Sequence, residues 1–100
     1  MSHDFEERFE ELSNNKNVIG AMIITSEEGK TIRTTFNNAT TANYANFAYK
    51  LMKTTKELLH ESDNTNDVKF FRVTTKKHEI MMSPDSQYIL VIIHQGQDER

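Results

Sequence analysis

Along residues 4–15 the apolar positions fall at Phe5, Phe9 and Leu12 among charged neighbours. That i, i+4, i+7 spacing places one narrow apolar stripe on a helix. Asp4 stands at a capping position with Glu7 three residues on, and NNKN ends the segment. VIGAMIIT, residues 18–25, is apolar at odd and even positions alike, as in a central strand covered on both faces. Gly20 inside it marks a bulge or a close neighbour. After the turn SEEGK, residues 31–36 alternate: Ile32, Thr34 and Phe36 share one face, Thr31, Arg33 and Thr35 the other. This predicts a half-exposed strand, hairpin-paired with the first.

A long segment follows. Thr40 or Thr41 is placed to cap a helix that runs to about residue 61 without Gly or Pro. At roughly 100° per residue, Tyr44, Phe47, Ala48, Leu51, Met52, Leu58 and Leu59 form one stripe, which Ala42, Ala45 and Tyr49 widen. Lys50, Lys53, Glu57 and Glu61 lie opposite. The apolar arc is wider than one sheet face requires, which points to a second buried contact. HESDNTND closes the helix, and VKFFRVTT, HEIMMS and QYILVIIH read as three strands joined by short turns. In the first of these, Val68, Phe70 and Arg72 are expected on one face, Phe71 and Val73 on the other. Pro84 is expected at the second position of the turn SPDS, with Asp85 bonding the backbone. The order is α-β-β-α-β-β-β, an α/β (α+β) domain with a mostly antiparallel sheet spanning residues 1–100, its core in 17–95.

Composition narrows the function. One hundred residues make one small domain, and a chain this size buries only about two-thirds of its unfolded surface. The formal charge of −3 lacks the basic field of a nucleic-acid binder. No apolar run approaches the roughly 20 residues of a membrane span, and the amino terminus has no signal-peptide pattern. With no cysteine there is neither a disulfide framework nor a thiolate metal site. Asn38-Ala39-Thr40 fits a glycosylation sequon, read as accidental in an unsecreted protein.

Candidate chemistry is sparse. His78-Glu79 would open a zinc-protease motif, but the second histidine would fall at 82, which is Met. His3, His60 and His94 sit in different segments, without ligand spacing. ESDNTND is acidic but lacks the glycine and terminal Glu of a calcium loop. No nucleophile elbow or phosphate-binding glycine loop occurs. KFFRV interleaves aromatics and cations, yet without the glycines of an RNA-stacking strand. The residues predict no enzyme and no cofactor.

Two blocks carry a resemblance. VIGAMIITSEEGKTIRTTFNNATTANY, residues 18–44, resembles the first half of the roadblock/LC7 family, the dynein light chains of roadblock type. Its carriers are Gly20, Glu28-Gly29, Ile32-Arg33-Thr34-Thr35, and Asn38 through Tyr44. NDVKFFRVTTKKHEIMMSPDSQYILVIIHQ, residues 66–95, is similar to the second half through Asn66-Asp67, the Phe-Arg strand, Glu79-Ile80, Pro84-Asp85 and Tyr88. Together they cover about four-fifths of the chain. The turn SEEGK is a residue longer than usual and lacks a Pro after the Gly, and Asp63-Asn64 replaces the frequent Asp-Pro.

The resemblance implies a five-stranded antiparallel sheet packed with helices, and a homodimer, or a heterodimer with a related light chain. The contact would run through the long helix and the strand after it, with Ala45, Tyr49, Met52, Phe70 and Arg72 as interface candidates. It further implies a non-catalytic, cytoplasmic and microtubule-associated subunit that binds the dynein intermediate chain, with cilium or flagellum as a further location. The alternative within the same resemblance is a scaffold or regulator of a small GTPase. Neither reading involves nucleic acid or membrane insertion.

Overall fold

The computed structural model describes residues 3–96, although the side chain of His3 lies outside the described residues. Helix α1 (His3–Ser13) leads into strand β1 (Val18–Thr25) and the short β2 (Thr31–Thr34). Helix α2 (Asn38–Ser62) follows, then β3 (Phe71–Thr74), β4 (His78–Pro84) and β5 (Tyr88–Gln95). The strands form one sheet in the order β2-β1-β5-β4-β3, every neighbouring pair antiparallel. β1 and β5 lie side by side in the middle, which is why both are apolar on both faces. Met22, Ile24, Ile89, Val91 and Ile93 turn toward α2, while Ala21, Ile23, Leu90 and Ile92 turn toward α1.

Each helix occupies one face. α1 presses Phe5 and Phe9 into the sheet at 6% and 2% exposure, with Leu12 at the margin. A polar clamp reinforces it: the Arg33 guanidinium on β2 donates to Glu6 and Glu10, and lies 4.5 Å from the centre of the Phe9 ring. The hydrogen bond to Glu10 chiefly, opposed by burial and reinforced by Glu6, raises the Arg33 pKa. On the other face, Ala45, Ala48 and Met52 of α2 meet a broader apolar floor that includes Ile80 and Met82.

Gly20 is both a bulge and a close approach. The β1–β5 register shifts between Val18 and Gly20, and the Phe36 ring lies where a Cβ on Gly20 would stand. Just past the end of β2, Thr35 prolongs the pairing: its N–H donates to the Ala21 carbonyl, and its hydroxyl accepts from the Ala21 N–H at 3.0 Å. Gly29, at φ +72°, turns the β1–β2 loop beneath Tyr49.

Several boundaries depart from the sequence reading. α2 starts earlier than Thr40 or Thr41, because Asn37 is the cap: its side chain accepts from the Thr40 N–H at 2.8 Å. Thr41 instead turns inward, its hydroxyl 2.8 Å from that of Thr34. Pro84 pairs with Ile89 as the last residue of β4, so the turn proper is 85–87. There Asp85 accepts from the Gln87 and Tyr88 N–H groups, both at 2.8 Å. β3 begins at Phe71 rather than Val68. The side chains of Asn66 and Asp67 take up the N–H groups of Asp67 and Val68, a local arrangement that competes with strand pairing. Val68 therefore packs on the same core as Phe71 and Val73, not beside Phe70.

Candidate interaction surface

The groups able to do chemistry stand apart. Among the described residues no three His, Cys, Asp or Glu side chains gather as a metal site. His78 opens β4, and Met82, where a zinc motif would need its second histidine, is fully buried in the core. The His94 ring lies 3.0 Å from the Gln95 carbonyl, and His60 lies 3.9 Å from Asp67. Asp63 accepts from the hydroxyl and the N–H of Thr65, bonds that hold its carboxyl below the usual range. The Asp63 and His60 contacts finish the end of α2, the His94 contact stays within β5, and none of them assembles a reacting pair.

What the surface offers instead is apolar area, and α2 holds much of it. Ala45 and Met52 are 7% and 2% exposed within the chain's own core, so they have little area left for a second chain. Tyr49 is half-buried over Gly29 and donates its hydroxyl to the Glu27 carbonyl at 3.0 Å. Phe70 and Arg72 are exposed at the outer strand of the sheet, Phe70 to 52%. Of the five candidates, then, three line the inner side of α2 and two lie at the outer edge of the sheet, Phe70 just before β3 and Arg72 on it, 3.8 Å from Glu79.

The outward apolar positions of α2 are Phe47 and Leu58, 39% and 59% exposed; Leu51, between them, is half-buried because it also packs against the α2-side core. Thr54 completes the row. Residues 47, 51, 54 and 58 follow a 4-3-4 spacing, so they form one stripe along the helix. It is rotated about 120° from the row of Ala45, Ala48 and Met52 at 100° per residue. Periodicity showed the width of this arc; the sheet decided which part of it turns in.

The row is also palindromic. A two-fold axis crossing α2 between Met52 and Lys53 exchanges position 47 with 58 and position 51 with 54. An antiparallel second copy of α2 would set Phe47 against Leu58 and Leu51 against Thr54. A stripe that complements itself in this way is the condition for an isologous contact.

A five-stranded antiparallel sheet with one helix on each face, and exposed apolar area on the longer helix, defines a small α+β interaction module. The sequence profile of the Roadblock/LC7 domain matches residues 4–94, and the chain belongs to that family. Its members include dynein light chains and scaffolds that regulate GTPases; its domains are generally non-catalytic binding modules and typically dimerise. Among solved structures, the Roadblock/LC7 domain from Streptomyces avermitilis has the same fold, with a TM-score of 0.76 at 12% identity. That match covers 88% of this chain and 74% of the bacterial one. No helix among the described residues is long and apolar enough to cross a membrane.

Proposed function

We propose that this chain is a non-catalytic adaptor, a dynein light chain that dimerises through α2 and engages two copies of the dynein intermediate chain. The observation that carries the dimer is the self-complementary stripe Phe47, Leu51, Thr54 and Leu58 on α2; Phe70 and Arg72 stand apart from it at the outer edge of the sheet, Arg72 on the α1 face. Fully burying a Phe or Leu side chain is worth about 1.5–3 kcal/mol. With 39% of Phe47 and 59% of Leu58 still exposed, each Phe47–Leu58 contact offers about 2 kcal/mol. The two-fold axis makes two such contacts, about 4 kcal/mol before association losses, so a micromolar dimer, which needs about 8 kcal/mol net, requires further buried area around the stripe. Support for the dynein branch comes from the residues of 18–44 and 66–95 that resemble roadblock light chains. A two-fold dimer holding one intermediate chain on each half raises their effective concentration for each other.

Sedimentation tests the dimer. The intact chain is expected at twice 11.6 kDa at micromolar concentration, and Phe47→Glu is expected to weaken self-association roughly 10²–10³-fold with native circular dichroism. A monomeric intact chain refutes the dimer. Pull-down with an intermediate-chain fragment tests the dynein assignment separately, and an intact dimer that captures none of it refutes that part alone.

A further inference from the structure

The two faces of the sheet are covered unequally. α1 lies over β1 and β5, and its cluster reaches Met81 on β4 only at the margin. Residues paired across an antiparallel ladder share a face, so Arg72, paired with Met81, stands on this same side. Arg72 lies over the β4 residues, 3.9 Å from the Met81 sulfur and 3.8 Å from Glu79, with its own side chain 55% exposed. On the α1 side of β3 and β4, Arg72 therefore lies over Met81, the one apolar side chain of that strip, with Glu79 beside it.

Charge is concentrated around that strip. Residues 68–78 hold Lys69, Arg72, Lys76 and Lys77, four of the chain's twelve Lys and Arg, and none of its fifteen Asp and Glu. All four are exposed, and Phe70 among them is 52% exposed. The rest of the chain is strongly acidic, and α1, on the same face, carries five carboxylates against Arg8. A membrane plane or a nucleic-acid duplex lying across this face would meet those carboxylates. A narrow acidic segment lying along β3 and β4 would avoid them and meet only Glu79, whose side chain is 17% exposed and lies 3.8 Å from Arg72.

We propose that the α1 side of β3 and β4 docks an acidic peptide segment bearing apolar side chains. Its carboxylates meet Lys69, Arg72, Lys76 and Lys77, and an apolar side chain rests on Met81 beside Phe70. The site is complete in one chain and does not depend on dimerisation. Arg72 projects from the sheet face rather than in the plane of the strand edge, so pairing of two β3 edges would leave it accessible.

The probe is a labelled peptide of Glu and Leu, with a matched Lys–Leu peptide and phosphatidylserine-containing vesicles as separate arms. The acidic peptide is expected to bind at low ionic strength and to weaken as salt screens the contact. The triple variant Lys69→Glu/Lys76→Glu/Lys77→Glu, which leaves the Arg72–Glu79 pair in place, is expected to lose about tenfold or more in affinity. Binding is expected to persist in monomeric Phe47→Glu and to protect the amides of β3 and β4 from exchange. Equal binding of the lysine peptide, binding of vesicles but not peptide, or no binding at low salt overturns the proposal. An unchanged thermal midpoint in the triple variant separates lost binding from lost folding.

Discussion

Gly20→Ala sets one added methyl group against one aromatic ring. A Cβ at residue 20 falls 2.2, 2.4 and 2.7 Å from Cζ, Cε1 and Cε2 of Phe36. Carbon atoms pack comfortably at about 3.5–4.0 Å, so the ring must withdraw by roughly 1–2 Å. It is not free to do so, because it packs on the α2-side core with its centre 5.3 Å from that of Tyr44. Overfilling a packed site costs about 1–3 kcal/mol. Ejecting half of a ring that buries about 150–250 Å² loses about 2–3 kcal/mol at 25 cal/mol per Å². The two routes agree. Replacing Gly also reduces unfolded-chain entropy, which returns about 0.4–1 kcal/mol. The net expectation is about 1–2 kcal/mol of destabilisation, or a midpoint lowered by roughly 5–15 °C in a domain of this size.

The assay is urea unfolding of the wild type, Gly20→Ala, Phe36→Leu and the double variant at one fixed protomer concentration. Fixing the concentration removes any contribution from association. If the clash is the cause, the double variant is less destabilised than the sum of the singles by about 1 kcal/mol. A Gly20→Ala protein within about 0.5 kcal/mol of the wild type, or an additive cycle, refutes the reasoning.

Two further predictions concern polar ties. Arg33→Met removes the one partner that Glu6 and Glu10 share, so amide exchange in α1 is expected to quicken and to lose its dependence on salt; unchanged exchange would show that Phe5 and Phe9 hold the helix unaided. Asp63, whose carboxyl is held low by Thr65, contributes stability that is fully present above the ordinary carboxylate value. That contribution is lost as pH falls through the lowered folded one. Asp63→Asn is therefore expected to flatten stability against pH below about pH 4, and an unaltered acid limb in urea unfolding would count against it.

Much of the fold was legible in the chain. The doubly apolar runs 18–25 and 88–95 announced the two central strands, because only a strand buried on both faces has no need of a polar side. Gly20 and Asp85 were each readable from a local requirement that operates within a few residues. The same holds for the order of the elements and for the narrow stripe of α1. Less legible was the start of β3, where Asn66 and Asp67 satisfy backbone N–H groups locally and delay the ladder.

The candidate surface divides in the same way. Residue spacing determined that α2 carries an apolar arc too wide for one contact. It could not choose which third of the arc lies inward, because periodicity gives angles between residues and not the direction of the sheet. The sheet made that choice, sinking Ala45 and Met52 and leaving Phe47 and Leu58 outside. The packing of α1 against β1 and β5 likewise decided that Arg33 would be clamped by two glutamates while Arg72, beyond the reach of α1, meets only Glu79 at 3.8 Å and stays 55% exposed. Two arginines of like local sequence thus differ in role because burial and charge pairing depend on neighbours that only the folded chain brings near.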